Sequence, residues 1–210
     1  MRSGELLVIG LCGRSGSGKG YVSAVFEKHG IPAVDTDRVY RDILADKSSE
    51  CLSELIAEYG GGILDRDGRL ERRSLAGIVF GDKSGEKLKR LIDFTHKYIL
   101  EKTKDLIDKA RESKKRAIII DAPVLFESGF DKLCDLTVCV TAPDSICIKR
   151  ICERDGRTES EAAKRLSSQK SADELRITCN EEIVNDGAEN VESRVLEIMK
   201  KYGLGGADEE

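Results

Sequence analysis

Seven consecutive residues, Gly13-Arg14-Ser15-Gly16-Ser17-Gly18-Lys19, have the composition of a loop that holds phosphate. Their spacing is G-x-x-x-x-G-K. Glycines let successive backbone N–H groups curl around an anion at close approach. The lysine supplies a point charge for the β/γ bridge of a nucleoside triphosphate. An apolar run over residues 6–11 precedes the loop, and helical spacing of Val22, Val25 and Phe26 follows it. That context adds the favourable dipole of a helix N-terminus. The residue after the lysine breaks the pattern. Where a Ser or Thr hydroxyl would bind Mg²⁺, the chain has Gly20. Ser23 stands about one turn further along and is a poor substitute. Either water fills that metal position or metal handling is weakened.

The loop does not fit the dinucleotide fingerprint G-x-G-x-x-G. Asp65-Arg66-Asp67-Gly68 spells D-x-x-G, but it follows the triplet Gly60-Gly61-Gly62 rather than an apolar strand, and no N-K-x-D is present. That segment reads as a turn, not as a GTPase switch. Phosphoryl transfer to a hydroxyl asks for three further groups: a carboxylate for the acceptor, cations for the transferring phosphoryl, and a metal carboxylate. Asp35 and Asp37 stand where a short strand over residues 31–34 ends, and ligands bind outside the carboxyl ends of such strands. Strand alternation would put both on one face. Asp35 reads also as a helix N-cap. Asp121, after Ile118-Ile119-Ile120, is the candidate Mg²⁺ ligand. Lys149, Arg150, Arg154, Arg157, Lys164 and Arg165 either close over ATP as a lid or form a solvated face paired with Glu153, Asp155, Glu159 and Glu161.

The elements that must position these groups alternate along the chain. Strands are expected over residues 6–11, 31–34, 117–121, 136–140 and, more briefly, 182–184. Helices are expected over 21–29, 38–45, 49–59, 74–80, 85–111, 144–154, about 158–169 and 191–202. The capping box Thr158-Glu159-Ser160-Glu161 marks one helix start. Alternating strands and helices imply a parallel sheet covered on both faces. Residues 46–111 hold helix without strand and form a candidate inserted lobe beside the acceptor site. Residues 203–210 read as a flexible tail.

The 210 residues suffice for one α/β domain. Apolar residues are 40% and charged residues 35% of a chain with net charge −4, a globular balance without the basic excess of a nucleic-acid binder. The longest apolar run is of strand length, so neither a membrane span nor a signal peptide is expected. The seven cysteines show no C-x-x-C spacing and read as reduced, mostly buried thiols of a cytoplasmic protein.

Taken together, the residues resemble the dephospho-coenzyme A kinase family over nearly the whole chain, residues 9–197. The resemblance is carried by the phosphate loop, Val34-Asp35-Thr36-Asp37 with Arg41, Asp67-Gly68-Arg69-Leu70, Val79-Phe80 and His96. It continues through Asp121-Ala122-Pro123-Val124-Leu125-Phe126-Glu127, Arg150, Arg154-Asp155, Arg165 with Gln169, and Asn185. The stretch 123–127 and the aspartate pair are the specific markers.

The resemblance implies a P-loop NTPase fold: a three-layer α/β sandwich with a parallel five-stranded sheet, an inserted helical substrate lobe and a helical lid. It implies one kinase domain over 1–202, with its core at about 1–45 and 112–202, its lobe at about 46–111 and its lid at about 150–170. The implied reaction moves the γ-phosphoryl of ATP, with Mg²⁺, to the ribose 3′-hydroxyl of dephospho-coenzyme A. Asp37, Lys19 and Arg150 would be catalytic. Arg14, Ser15, Gly16, Ser17, Gly18, Lys19, Gly20, Tyr21 and Asn185 would hold ATP. Asp35, Arg41, His96 and Phe126 would hold the acceptor. The chain departs from the family at Gly20, at Thr36 between the aspartates, at Lys97, at Ser145 and Cys147, and at Cys179-Asn180. Another nucleoside or nucleotide kinase, or an ATP-binding regulatory homologue, remains as an alternative.

Overall fold

The computed structural model describes residues 5–188 and 190–205. The chain forms two compact units. One comprises the chain up to Val34 and from Ile107 onward; the other is Asp35–Leu106.

β1 (Leu7–Gly13), β2 (Ala33–Asp35, its last residue the first of the second unit), β3 (Ala117–Asp121), β4 (Leu136–Thr141) and β5 (Glu181–Val184) form one sheet in the order β2-β3-β1-β4-β5. β1 runs parallel to β3 and to β4, and β4 parallel to β5. Every residue of β1 is buried, which is why it reads as a continuous apolar run rather than an alternating one. Leu7, Ile9 and Leu11 enter a core shared with Val22, Val25 and Phe26 of α1 (Lys19–Lys28) and Val195, Ile198 and Met199 of α9 (Val191–Lys201). A separate cluster of Cys147, Ile151, Ala162 and Leu166 joins α6 (Asp144–Asp155) to α7 (Glu159–Ser167). The expected α/β class with a parallel five-stranded sheet is the one found.

Two local readings are corrected, and one element is added. Residue 31 does not start a strand, because its N–H is spent on the end of α1, donating to Phe26 O at 3.1 Å. The strand does not continue alternating to Asp37, because α2 (Thr36–Ala45) begins at once. A further helix, α8 (Ala172–Thr178), follows α7, and its start is a capping box formed by Ser171 and Glu174.

Part of the expected tail is held. Leu204 is buried in the main core, and Arg116 Nη1 donates to Gly205 O at 2.7 Å. The rest of the expected tail, residues 206–210, lies outside the described residues.

The second unit contains α2, α3 (Glu50–Tyr59), α4 (Arg72–Phe80) and most of α5 (Glu86–Glu112). Its core is Leu44, Cys51, Leu55, Ile63, Leu75 and Val79, with Tyr40 and Ile43 packed against it. Those α2 residues explain why the unit opens at residue 35. Asp65 Oδ1 accepts from the N–H groups of Asp67 and Arg69, so the D-x-x-G segment is a tight turn.

Candidate active site

The loop between β1 and α1 is shaped by two left-handed residues, Gly16 at φ 80° and Gly18 at φ 90°. A side chain at position 16 would strike the backbone of Cys147, and one at position 18 would strike Asn185 Nδ2. Glycine is therefore required twice over, by conformation and by space.

The loop is held from outside by side chains of later elements. Arg150 Nη1, from α6, donates to the carbonyls of Gly16 at 3.2 Å, Ser17 at 3.3 Å and Asn185 at 3.1 Å. Asn185, just past β5, donates through Nδ2 to Ser17 O at 2.8 Å. With the Ser17 carbonyl turned outward, the N–H of the trans Ser17–Gly18 peptide turns the other way. Gln169 Oε1 accepts from the Ser15 N–H at 2.9 Å. Arg14 pairs with Asp144 and donates through Nη2 to Leu166 O at 3.2 Å.

At the loop's end, Lys19 forms an ion pair with Asp121, the last residue of β3. Their side chains are only 17% and 10% exposed, so the pair is weakly screened and holds the ammonium in place. Asp121 is the hard oxygen donor available to Mg²⁺, an ion that uses one or two carboxylates with waters and substrate phosphates. Gly20 is exposed, and a Cβ built there meets nothing within 4 Å. The position contributes no ligand, yet it leaves room for water. The residues present therefore fit Mg²⁺ with one protein carboxylate.

Beside the loop lies a cleft of about 220 Å³ lined by Cys12, Gly13, Arg14, Phe126, Gln169 and Lys170, among others. The Lys170 ammonium stands 5.0 Å from the centre of the Phe126 ring and 3.2 Å from Glu127. Of the cation cluster, Arg154 and Arg165 both pair with Asp155, at 2.7 and 3.1 Å. The hydrogen bond from Arg154 holds the Asp155 carboxyl below its usual range. These two arginines are thus engaged with a neighbouring carboxylate, whereas Arg150 is turned to the loop. Tyr21, in the first turn of α1, is 58% exposed.

Asp35, Asp37, Arg41 and His96 belong to the second unit. Asp35 is the N-cap of α2: its Oδ1 accepts from the N–H groups of Asp37 at 2.9 Å and Arg38 at 3.0 Å. Arg41 Nη2 lies 3.8 Å from Asp35 Oδ2. Asp37 is exposed in the first helical turn. His96 is half-buried on α5.

A phosphate loop with its lysine paired to a strand-end carboxylate serves many nucleotide enzymes, so the comparison with known proteins decides among them. The family model described as dephospho-CoA kinase matches residues 7–190. The chain belongs to the dephospho-CoA kinase family. A dephospho-CoA kinase of Fusobacterium nucleatum is 36% identical over 170 residues, 81% of this chain and 84% of that protein. One of Lactobacillus johnsonii is 30% identical over 196 residues, 93% of this chain and 98% of its own. The crystal structure of TT1252 from Thermus thermophilus superimposes with a TM-score of 0.78 at 28% identity, covering 96% of this chain and all of that one.

Within the family frame, the braces from Gln169 and Asp144 are the site contacts that residue types alone did not reveal. Gln169 was visible as a family marker with Arg165, but its grip on the Ser15 N–H needs the fold. Asp144 carried no signal beyond its place at a helix start.

Proposed function

We propose that the protein transfers the γ-phosphoryl group of ATP to the 3′-hydroxyl of the dephospho-coenzyme A ribose, giving coenzyme A and ADP. The observation that carries this is the braced phosphate loop, with Lys19 on Asp121, in a chain of this family. Its N–H groups and Lys19 would receive the triphosphate, Lys19 leaving Asp121 for phosphate. Asp121 would hold Mg²⁺, which supplies charge neutralisation between the phosphates.

Asp37 is assigned as the carboxylate that orients the 3′-hydroxyl and accepts its proton. Asp35 fixes the start of α2 and so the backbone that carries Asp37. Arg41, His96 and Phe126 are assigned to the acceptor. Arg14, Ser15, Gly16, Ser17, Gly18, Gly20, Tyr21 and Asn185 are assigned to ATP. Arg150 keeps one nitrogen on the loop carbonyls while its charge offsets the transferring phosphoryl. Residues 35–106 would be the acceptor lobe and about 150–170 the lid.

Among the described residues no helix is long and apolar enough to cross a membrane. We place the reaction in the cytoplasm, where ATP and reduced thiols are available. The test offers ATP, Mg²⁺ and single acceptors to the purified protein. Coenzyme A formation from dephospho-coenzyme A alone is expected. Faster ADP formation with another nucleoside, or ATP binding without any turnover, would refute the reading.

A further inference from the structure

Three thiols converge on the face of the sheet that the α1/α9 core leaves free. Leu7, Ile9 and Leu11 of β1 and Leu136, Val138 and Val140 of β4 point into that core. Alternation therefore sends Cys12 and Cys139 to the opposite face, and the parallel register sets them side by side. Cys179, the C-cap of α8, completes the group. Its Sγ lies 3.5 Å from Cys12 Sγ.

All three are free thiols. Cys12 and Cys139 are buried, while Cys179 is half-buried. Hydrogen bonds from Cys12 and Cys139 push the Cys179 thiol well below its usual range, against its burial. The same bonds push those two thiols up. Cys179 is thus the sulfur of the three that a dissolved reagent reaches first.

We propose that Cys179 and Cys12 form a reversible oxidation site at the base of the phosphate loop, with low-molecular-weight disulfides as the oxidant. The Cys179 thiolate attacks one sulfur of R–S–S–R; an S–S bond forms to Cys179 and one RS⁻ leaves. Cys12 then gives up its proton to solvent, and its sulfur attacks Cys179, expelling the second RS⁻. Two protein thiols are oxidised to one disulfide, and the small disulfide is reduced to two thiols. Cys12 is the resolving partner because its sulfur needs to move only about 1.5 Å to reach bonding distance.

The bond would act on the nucleotide. Cys12 immediately precedes Gly13, and Cys179 lies between Gln169 and Asn185, which hold Ser15 and Ser17. Drawing the two sulfurs together would pull on Cys12, the residue that leads into the loop at Gly13.

The experiment treats the whole protein with oxidised glutathione. It then reads peptide cross-links by mass spectrometry and ATP affinity by nucleotide titration, neither of which depends on the proposed acceptor. A 12–179 cross-link without bound glutathione is expected, with ATP affinity down by about tenfold and restored by dithiothreitol. Cys139→Ser should still cross-link, and Cys179→Ser should keep its ATP affinity under the oxidant. No 12–179 cross-link in either the wild type or Cys139→Ser, or a cross-link that leaves ATP affinity unchanged, would overturn the proposal.

Discussion

Lys19 and Asp121 neutralise each other at the floor of the phosphate loop, and the one residue beside them that cannot help is Gly20. Since a Cβ at position 20 meets nothing within 4 Å, Gly20→Ser should fold normally and add an oxygen to the metal's surroundings. The expected result is a several-fold lower Mg²⁺ concentration for half-maximal rate. An unchanged Mg²⁺ titration would mean that water already serves there. Asp37→Asn keeps the size and the helix position of the side chain but not its basicity. Turnover should fall by about 10²-fold or more, with ATP affinity, read by titration, little changed. If turnover stays near normal, Asp37 has no part in the proton transfer.

At the scale of elements, the loop is only as well shaped as the parts that grip it. Asn185→Ala removes the 2.8 Å bond to Ser17 O and leaves a buried carbonyl short of a partner. ATP KM should rise by about tenfold, the worth of one such bond, while far-ultraviolet circular dichroism stays the same. An unaltered KM would show that Arg150 alone suffices. These grips also mark where the sequence stops being readable. The strand–loop–helix of residues 7–28 could be seen in advance because its signals are local: an apolar run, glycines, a lysine, and helical spacing. Helix α8 was also announced locally, by Ser171 and Glu174, but its seven residues are too short to show a period. Asp35 and Asp37 were legible as a pair, and Asp35 also as an N-cap, which it is. Which of the two geometries holds was not legible, because alternation along a continuing strand and the cap of a new helix ask for the same residue types. The bonds of Arg14 to Asp144, of Arg150 to Gly16 and Ser17, and of Gln169 to Ser15 span 130 or more positions, and no local pattern encodes such distances.

Across the whole molecule, the far edge of the sheet is fastened by charge. Buried Glu181 accepts from Arg194 at 2.9 Å, from Lys201, and from the Tyr202 hydroxyl at 3.0 Å. Neighbouring Glu182 bonds Arg176. Burial alone would raise the Glu181 carboxyl, but Lys201 and Tyr202 outweigh it and the net shift is downward. The hydrogen bond from Arg176 lowers Glu182. Carboxyls depressed by folding contribute stability above their unfolded value, near 4.5, and lose it as pH falls through the depressed one. Urea midpoints should therefore drop as pH falls below about 4.5, and Glu181→Ala should blunt that drop. At neutral pH the same substitution should cost about 2–3 kcal/mol, measured by urea unfolding; a cost below about 0.5 kcal/mol would show that the cluster is solvated.

The position of β1 has a consequence for synthesis. It is made before the strands it pairs with, yet it lies in the middle of the sheet, pairing Leu7 with Ala117 on one side and Ile9 with Leu136 on the other. Neither edge of this apolar strand can be covered by its partner until residues 117–121 have been made. The helical unit of residues 35–106 is contiguous and is complete before either partner strand appears. Nascent chains halted before residue 117 would thus carry β1 as a bare, aggregation-prone strand, the stretch that a chaperone would be expected to cover.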